Sequence, residues 1–307
     1  MASSKSTTEW MPCVLCGSYN SKVLFTQEYK GVDYSIVKCK CGLVYTNPRY
    51  VLENKSDFYR DPKVDDKGTT IGLRADACIQ PRFGFREKYL EFYDDKVYPR
   101  VLDYVCRGGS FLEVLRQRYG WHSLYGLDDR PMLAKEANTK GFYVLNQTIE
   151  QANFTARFFD IVVMRHTLEH LYNPNLALKE VHRVLKDDGR LRIEVPHINS
   201  LSRKLAGNRW SAYFIPWHLY YFDKSSLARL LDKNGFEVES LTTFPYPHYL
   251  LSPLRYLRFA IKDTKQRKIV GKSLDDSEKM GALLYPLNKL SVALGMGDEL
   301  IAVVKKK

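Results

Sequence analysis

The sequence predicts an α/β fold, a parallel sheet covered by helices, with a small cysteine-bearing module ahead of it. From about residue 100 onward, short apolar runs alternate with segments of helical period, which is the pattern of repeated strand and helix units. Four cysteines in two close pairs lie before residue 50. The chain has 307 residues, of which 45% are hydrophobic, so it can bury a sizeable core and is not a disordered polymer.

Seven apolar runs are the predicted strands of this sheet. They are residues 100–105, 123–128, 142–146, 159–165, 190–195, 237–244 and 299–304. Helical periodicity between them predicts helices at residues 110–119, 131–140, 175–185 and 225–234. Capping signals support the last of these, because Asp223 can cap its N-terminus and Gly235 can end it.

The charge balance is basic. Lysine and arginine number 47 against 35 aspartates and glutamates, so the formal net charge is +12 at pH 7, which suits an acidic partner. The first residues lack the apolar run of a secretory signal, and no stretch reaches the roughly 18 to 20 apolar residues of a membrane span. We therefore expect a cytoplasmic protein whose six cysteines are thiols or metal ligands rather than disulfides.

Two cysteine pairs, Cys13 with Cys16 and Cys39 with Cys41, predict a zinc ribbon. Twenty-two residues separate the pairs, and a glycine follows the second cysteine of each. The second pair has one intervening residue where two are usual, and the alternative is four unrelated thiols. Four thiolates around one Zn²⁺ leave no open position, so the predicted role of the metal is structural.

Three segments are expected along the chain. Residues 8–48 form the predicted ribbon module, residues 49–99 a polar connector, and residues 100–307 the α/β domain. Within the last segment, residues 255–272 are basic with apolar spacing. This pattern predicts either a solvated helix face or contact with nucleic acid or a membrane surface.

Four stretches together make the chain resemble a known family. They are the cysteine module with its exit CGLVYTNP, the segment RVLDYVCRGGSFL at 100–112, the segment FDIVVMRHTLEH at 159–170, and the closing segments HLYYFD, LDKNGF and GDELIAVVK. In order and spacing they are similar to class I S-adenosylmethionine-dependent methyltransferases with an N-terminal zinc ribbon. The resemblance implies a Rossmann-like sheet with helices on both faces, and S-adenosylmethionine and structural Zn²⁺ as cofactors.

The resemblance also implies particular cofactor contacts. Asp103 and Cys106 belong to the segment that leaves the first strand, where Asp103 is expected to orient the loop and the methionine part of the cofactor. Gln147 and Thr148 occupy the place where the adenine edge is usually read.

General properties of open α/β sheets place a ligand at the same end. Ligands bind beyond the carboxyl ends of the strands, where the first loop meets a helix N-terminus, and Gly108 and Gly109 occupy that place here. Asp128 ends the second predicted strand and is the kind of acid that accepts both hydroxyls of a ribose. The alternative for Asp128 is an exposed aspartate at a strand end.

The loop departs from the family pattern at two positions. The family reads acid-x-Gly-x-Gly-x-Gly, whereas this chain places Val105 and Arg107 at two of the glycine positions. A branched side chain restricts the backbone, and a positive φ at Arg107 costs roughly 1 kcal/mol or more. Three outcomes stay open: the loop bends differently and Arg107 pairs with the cofactor carboxylate, the loop binds a phosphorylated nucleotide, or the site is vestigial.

The rim beyond the fourth strand carries the candidate catalytic residue. Methyl transfer from a sulfonium needs an in-line nucleophile and often a base, and histidine is the default base near neutral pH. His166 is the predicted general base, and Arg165 beside it is a candidate for an anionic substrate. His218 and Tyr220 lie in an aromatic segment that predicts either a substrate wall or core packing.

These observations predict methyl transfer to a small hydroxylated or phosphorylated metabolite. The finer substrate class, a sugar or a natural-product or polysaccharide precursor, is implied by the resemblance alone. One alternative is a catalytically inactive scaffold, favoured by Val105 and Arg107 in the loop. A second is an RNA methyltransferase or RNA-binding module, favoured by the charge and the ribbon.

Overall fold

The computed structural model describes residues 8–29, 31–51, 92, 97–246 and 277–307, and within these residues the strands form three sheets. In chain order the strands are β1 Thr8–Glu9, β2 Ser21–Tyr29, β3 Val32–Cys39, β4 Val44–Thr46, β5 Arg49–Tyr50, β6 Val101–Tyr104, β7 Leu124–Leu127, β8 Tyr143–Leu145, β9 Phe159–Arg165, β10 Leu185–Pro196, β11 Tyr220–Tyr221, β12 Phe236–Phe244 and β13 Glu299–Lys306. The α-helices are α1 Ser110–Tyr119, α2 Pro131–Thr139, α3 Pro174–Val184, α4 Leu201–Ala206, α5 Lys224–Lys233 and α6 Ser277–Ala293. Short 3₁₀ turns occupy Leu168–His170, Gly207–Arg209 and Ser211–Tyr213.

The largest sheet has seven strands in the order β12-β13-β10-β9-β6-β7-β8. Strands β10, β9, β6, β7 and β8 pair in parallel, whereas β13 is antiparallel to both β10 and β12. The predicted parallel sheet is therefore confirmed for every strand except β13, which runs against the others. An apolar run encodes burial but not direction, so the sequence pattern could not reveal this reversal.

Helices cover both faces of this sheet, as predicted. Successive residues of β9 alternate between two cores: Val162 and Met164 pack in one, and Ile161 and Val163 in the other. The first core receives the buried faces of α3 and α5, and the second receives those of α1 and α2. Because the central strands are apolar on both faces, they read as continuous hydrophobic runs in the sequence.

The start of α5 confirms the predicted cap. The Ser226 amide donates to Asp223 Oδ1 at 2.7 Å, and the Asp223 amide donates to Ser226 Oγ at 3.0 Å, which together form a capping box. Gly235 follows the helix with φ +83°, a conformation that glycine adopts without a Cβ penalty. These local signals explain why the predicted and observed bounds of this helix differ by a single residue at each end.

The cysteine module contributes a second sheet that includes a strand of the α/β region. Its order is β11-β4-β3-β2, with Tyr220 opposite Tyr45 in the antiparallel pair of β11 and β4. The Thr46 amide also donates to the carbonyl of Leu219. The division at residues 48 and 99 stays a prediction, but the module and the α/β region share one hydrogen-bonded sheet.

Two sequence predictions fall on other parts of the chain. Most of the connector and the whole basic run at 255–272 lie outside the described residues. Among the helices that the structure describes, none combines the length and apolarity needed to cross a membrane.

Candidate active site at the carboxyl ends of the central strands

A pocket opens where β6 and β9 end. It is lined by Asp103, Val105, Cys106, Arg107, Ser110, Phe111, Arg165 and His166. Asp103 belongs to β6, the next five follow β6 or begin α1, and the last two lie at and just after the end of β9. Carboxyl ends of neighbouring parallel strands meet at one edge of the sheet, so the fold brings the predicted cofactor loop and the predicted rim together.

The loop keeps left-handed backbone at positions where the family has glycine. Val105 has φ 68° and Arg107 has φ 55°, and Gly109, which precedes α1, has φ 78°. A Cβ on Gly108 would lie 2.5 Å from Glu136 Oε1, so a larger residue here would displace the half-exposed Glu136 side chain. The loop therefore retains the turn and stores strain at two residues.

Asp128 is buried at the end of β7, not exposed. The Arg107 amide donates to its Oδ2 at 2.8 Å and the Arg130 amide to its Oδ1 at 3.1 Å. The Arg130 side chain adds a two-pronged contact, with Nε 2.8 Å from Oδ1 and Nη2 2.7 Å from Oδ2. The carboxylate is thus satisfied within the protein, and the Arg130 side chain that contacts it is 28% exposed.

Asp103 is buried beneath the loop. Burial raises its pKa to about 6, even though the nearby positive charges of Arg165 and Arg107 act in the opposite direction. Cys106 is also buried, and burial raises the pKa of its thiol. A Cβ built on Gly126 would lie only 2.5 Å from Cys106 Sγ. The Cys106 side chain therefore packs directly against the backbone of β7.

The two predicted adenine contacts lie away from the pocket wall. Gln147 is exposed, and the Thr148 amide donates to Gln151 Oε1 at 3.3 Å. Their predicted role is not tested by this arrangement. Asn146, one residue earlier, donates from Nδ2 to the carbonyl of Asp128 at 2.8 Å and fixes the strand end that carries the acid.

Arg165 is a pocket residue with an acidic neighbour. Its Nε lies 3.6 Å from Glu194 Oε2, and its guanidinium carbon lies 4.3 Å from the centre of the Phe111 ring. Glu194 is itself buried and also accepts from Arg192 Nε at 2.9 Å. The positive charge of Arg165 is thereby held in place at the pocket wall.

His166 stands between two buried carboxylates. Its Nδ1 lies 3.3 Å from Glu169 Oε1 and its Nε2 lies 2.9 Å from Glu299 Oε1. His166 has φ 46°, a strained conformation of the kind that concentrates at functional sites. Burial raises the pKa of Glu299 despite the opposing effect of His166.

Sequence reasoning missed both carboxylates as partners of this histidine. For Glu169, the signal was present as the three-residue spacing from His166, which a single 3₁₀ turn brings onto one side. Glu299 gave no such signal, because it reaches the site only through the reversed strand β13.

His218 and Tyr220 are both buried behind this rim. His218 Nδ1 lies 2.7 Å from the carbonyl oxygen of Ala212, and its ring crosses that of His170 at a centroid distance of 4.5 Å. Tyr220 belongs to β11, which joins the sheet of the cysteine module. Burial lowers the pKa of His218 to about 3 and also lowers that of His170. The assignment of His218 and Tyr220 as substrate contacts stays a prediction.

The four predicted zinc ligands converge. Sulfur atoms of Cys13 and Cys41 lie 3.6 Å apart, those of Cys16 and Cys39 lie 3.4 Å apart, and all four lie within 4.8 Å of one another. Zn–S bonds of about 2.3 Å in a tetrahedron place sulfurs roughly 3.8 Å apart, so the cluster fits this metal. The Arg229 guanidinium donates to the carbonyl of Cys41 at 2.7 Å and ties the module to α5.

Comparison with known proteins identifies the family of this chain. Residues 79–241, just over half of the chain, match a family model described as a methyltransferase domain. The chain belongs to this methyltransferase domain family. No significant match to this methyltransferase occurs among curated proteins.

Solved structures show the same fold at low sequence identity. The PH0226 protein from Pyrococcus horikoshii is 16% identical and has a TM-score of 0.50, over 83% of this chain and 100% of that chain. A chain in the complex of the Haloferax volcanii Trm112 methyltransferase activator with a methyltransferase is 17% identical and has a TM-score of 0.50, over 76% and 92%. An S-adenosylmethionine-dependent methyltransferase from Archaeoglobus fulgidus is 21% identical and has a TM-score of 0.47, over 72% and 90%. The predicted class I S-adenosylmethionine-dependent methyltransferase and its Rossmann-like sheet are thus confirmed.

Proposed function

We propose that this methyltransferase transfers the methyl group of S-adenosylmethionine to a small hydroxylated or phosphorylated metabolite, such as a sugar or a natural-product or polysaccharide precursor. The observation that carries the proposal is the convergence, at one pocket, of the turn after β6 and the histidine after β9. In this proposal the cofactor binds at the turn after β6, and the acceptor binds beside His166.

The residues of the pocket fit the cofactor if the Arg130 side chain gives up its contact with Asp128. When bound, S-adenosylmethionine supplies an activated methyl group on a positively charged sulfur. Asp128 would hold the ribose hydroxyls, and Arg107 and Asp103 would hold the carboxylate and the amine of the methionine part. Arg130 would leave Asp128 for solvent, which its partial exposure allows.

His166 would take the proton of the acceptor hydroxyl on Nε2, which would first exchange its contact with Glu299 Oε1 for the acceptor. Its two carboxylate neighbours fix the ring, and each favours the positively charged imidazolium that proton uptake produces. We expect His166→Asn to lower kcat by 100- to 10,000-fold while the dissociation constant of S-adenosylmethionine changes little. Equal loss of cofactor binding and turnover would assign His166 to binding instead.

An anionic acceptor suits the pocket. Arg165 lines it, and its positive charge can hold a phosphate or carboxylate group beside the methyl donor. The proposal also includes a structural Zn²⁺ on the four cysteines and a reducing compartment such as the cytoplasm, where thiols persist.

Calorimetric titration with S-adenosylmethionine tests the proposed cofactor. We expect saturable binding to the wild type, at least tenfold weaker binding to Asp128→Asn, and several-fold tighter binding to Arg130→Gln, because that variant no longer competes for the carboxylate. Asp188→Asn is the control, since Asp188 is an exposed acid outside the pocket.

The same titration separates the rival functions. Absence of heat at millimolar S-adenosylmethionine for both the wild type and Arg130→Gln would contradict the proposal and favour a scaffold. Saturable cofactor binding together with RNA binding that weakens steeply with salt would favour an RNA methyltransferase over a small-molecule enzyme.

A further inference from the structure

A cluster of three side chains next to the pocket contains two histidines that the proposed reaction leaves without a role. One potential ligand atom from each of Glu169, His170 and His218 lies within 4.8 Å of the other two. The two imidazole rings stand nearly perpendicular, at 82°, with their centres 4.5 Å apart. Two imidazoles and a carboxylate are a recurrent ligand set for Zn²⁺ and Fe²⁺ in proteins.

Both histidines are oriented as metal ligands usually are. His170 Nδ1 lies 3.0 Å from the carbonyl oxygen of Trp217, and His218 Nδ1 lies 2.7 Å from that of Ala212. A carbonyl oxygen only accepts, so each Nδ1 carries the hydrogen and each Nε2 presents a lone pair. A backbone carbonyl on the other ring nitrogen is the usual way of fixing a metal-binding imidazole.

Glu169 gives an independent indication of a missing cation. The residue is 0% exposed, and apart from His166 no side chain or amide in the described part of the chain donates a hydrogen bond to its carboxylate. Its nearest charged neighbour is His166 Nδ1, 3.3 Å from Oε1. An ionised carboxylate buried with so few partners is costly, and a metal ion would compensate that cost directly.

We propose that Glu169, His170 and His218 bind a divalent transition-metal ion, Zn²⁺ or a cation of similar chemistry. Metal–ligand bonds of about 2.0 to 2.2 Å would draw the three ligand atoms, now within 4.8 Å of one another, closer together. Three protein ligands leave at least one coordination position for water or for an oxygen of another molecule.

The location of the site indicates how a metal ion there would act. Glu169 contacts His166, and His166 lines the pocket, so the metal lies one residue away from the acceptor. A metal ion there would fix Glu169 and, through it, the ring of His166, which meets the acceptor. This role in catalysis rests on the proposed function, whereas metal binding itself does not.

Titration of the purified full-length chain with Co²⁺, in the absence of S-adenosylmethionine, tests the site. Cobalt bound only by nitrogen and oxygen shows weak visible bands, whereas cobalt on cysteine adds intense near-ultraviolet charge-transfer absorption. We expect one equivalent of Co²⁺ to bind with the weak visible bands of nitrogen and oxygen ligands. This equivalent should bind whether or not a metal occupies Cys13, Cys16, Cys39 and Cys41. A wild-type protein without that equivalent would overturn the proposal.

Variants identify the ligands. We expect Glu169→Gln and His218→Gln each to weaken Co²⁺ binding at least tenfold, while His122→Gln, which changes an exposed histidine elsewhere, leaves it unchanged. His170→Gln changes a less buried ligand. If circular dichroism shows that Glu169→Gln or His218→Gln does not fold, the Co²⁺ affinity of His170→Gln tests the site instead. Unchanged binding in the folded variants would refute the site, whatever the result of the S-adenosylmethionine titration.

Discussion

The cysteine module depends on the identity of its side chains, because four thiols must bind one metal ion. The loop from Val105 to Gly109 depends on its backbone conformation. The module brings four sulfurs together at distances that match one metal ion. The loop keeps left-handed φ angles at Val105 and Arg107 although neither residue is glycine. A zinc ligand needs a donor atom that few side chains supply, chiefly those of Cys and His, but a backbone angle can be adopted by many residues at a cost in strain.

The two regions also differ in how they carry charge. Around the loop, Asp103 and Asp128 are buried acids, the second satisfied by Arg107 and Arg130. The module concentrates its polar chemistry in four thiols, which are deprotonated when they bind metal. Stability of the module should therefore depend on metal, and stability around the loop on pH and on backbone strain.

The largest expected effect is the loss of one cysteine ligand. Cys39→Ser should reduce bound zinc from one equivalent to well below one and should unfold the β2–β4 region, because zinc binding contributes on the order of 10 kcal/mol to folding of such modules. Metal analysis and thermal unfolding measure this. Cys78→Ser is the control, since Cys78 stands outside the two pairs; an unchanged zinc content in Cys39→Ser would contradict the assignment.

A smaller effect is expected from the buried acid beneath the loop. The pKa of Asp103 is about 6 in the folded protein against 3.8 for the ordinary side chain, so the folded state binds more protons between pH 4 and 6. The contribution of this acid to the free energy of unfolding is therefore fully present below about pH 4 and falls by about 2 to 3 kcal/mol as pH rises through 6.

Asp103→Asn removes that dependence. Urea unfolding at pH 4.5 and pH 7 should show the variant gaining stability relative to the wild type at the higher pH. Asp188→Asn, a change at an exposed acid, should show no such difference between the two pH values. A wild type and an Asp103→Asn variant with parallel pH profiles would mean that Asp103 is ionised throughout this range.

Most of the fold could be predicted from hydrophobic periodicity and capping residues. Apolar runs located the strands of the seven-stranded sheet, and the Asp223 cap located α5, because these signals act within a few residues of sequence. The direction of β13 and the shared strand β11 depend on contacts between distant segments, which a local pattern does not encode.

The site was predicted to a smaller extent. His166 and the loop were found because each follows a recognisable strand, and both line the pocket. The contact of Arg130 with Asp128 was not predicted, because it depends on the rotamers of two nearby side chains. The contact of Glu299 with His166 was not predicted, because Glu299 lies far along the chain. The strain at Val105 was anticipated as an obstacle, and the structure shows it as a feature of the turn.

Val105→Gly is the change that tests this last difference most directly. Relief of the left-handed conformation is worth about 1 to 2 kcal/mol, and the added flexibility of glycine in the unfolded chain costs about 0.5 to 1 kcal/mol, so a net gain of roughly 0.5 kcal/mol is expected. Chemical unfolding measures it, with Val97→Gly, at an exposed valine without positive φ, as the matched control that gains nothing. A loss of more than about 1 kcal/mol in Val105→Gly would mean that the valine side chain, through packing, holds this loop in place. The contrast between a backbone-determined loop and a side-chain-determined metal module would then fail at this position.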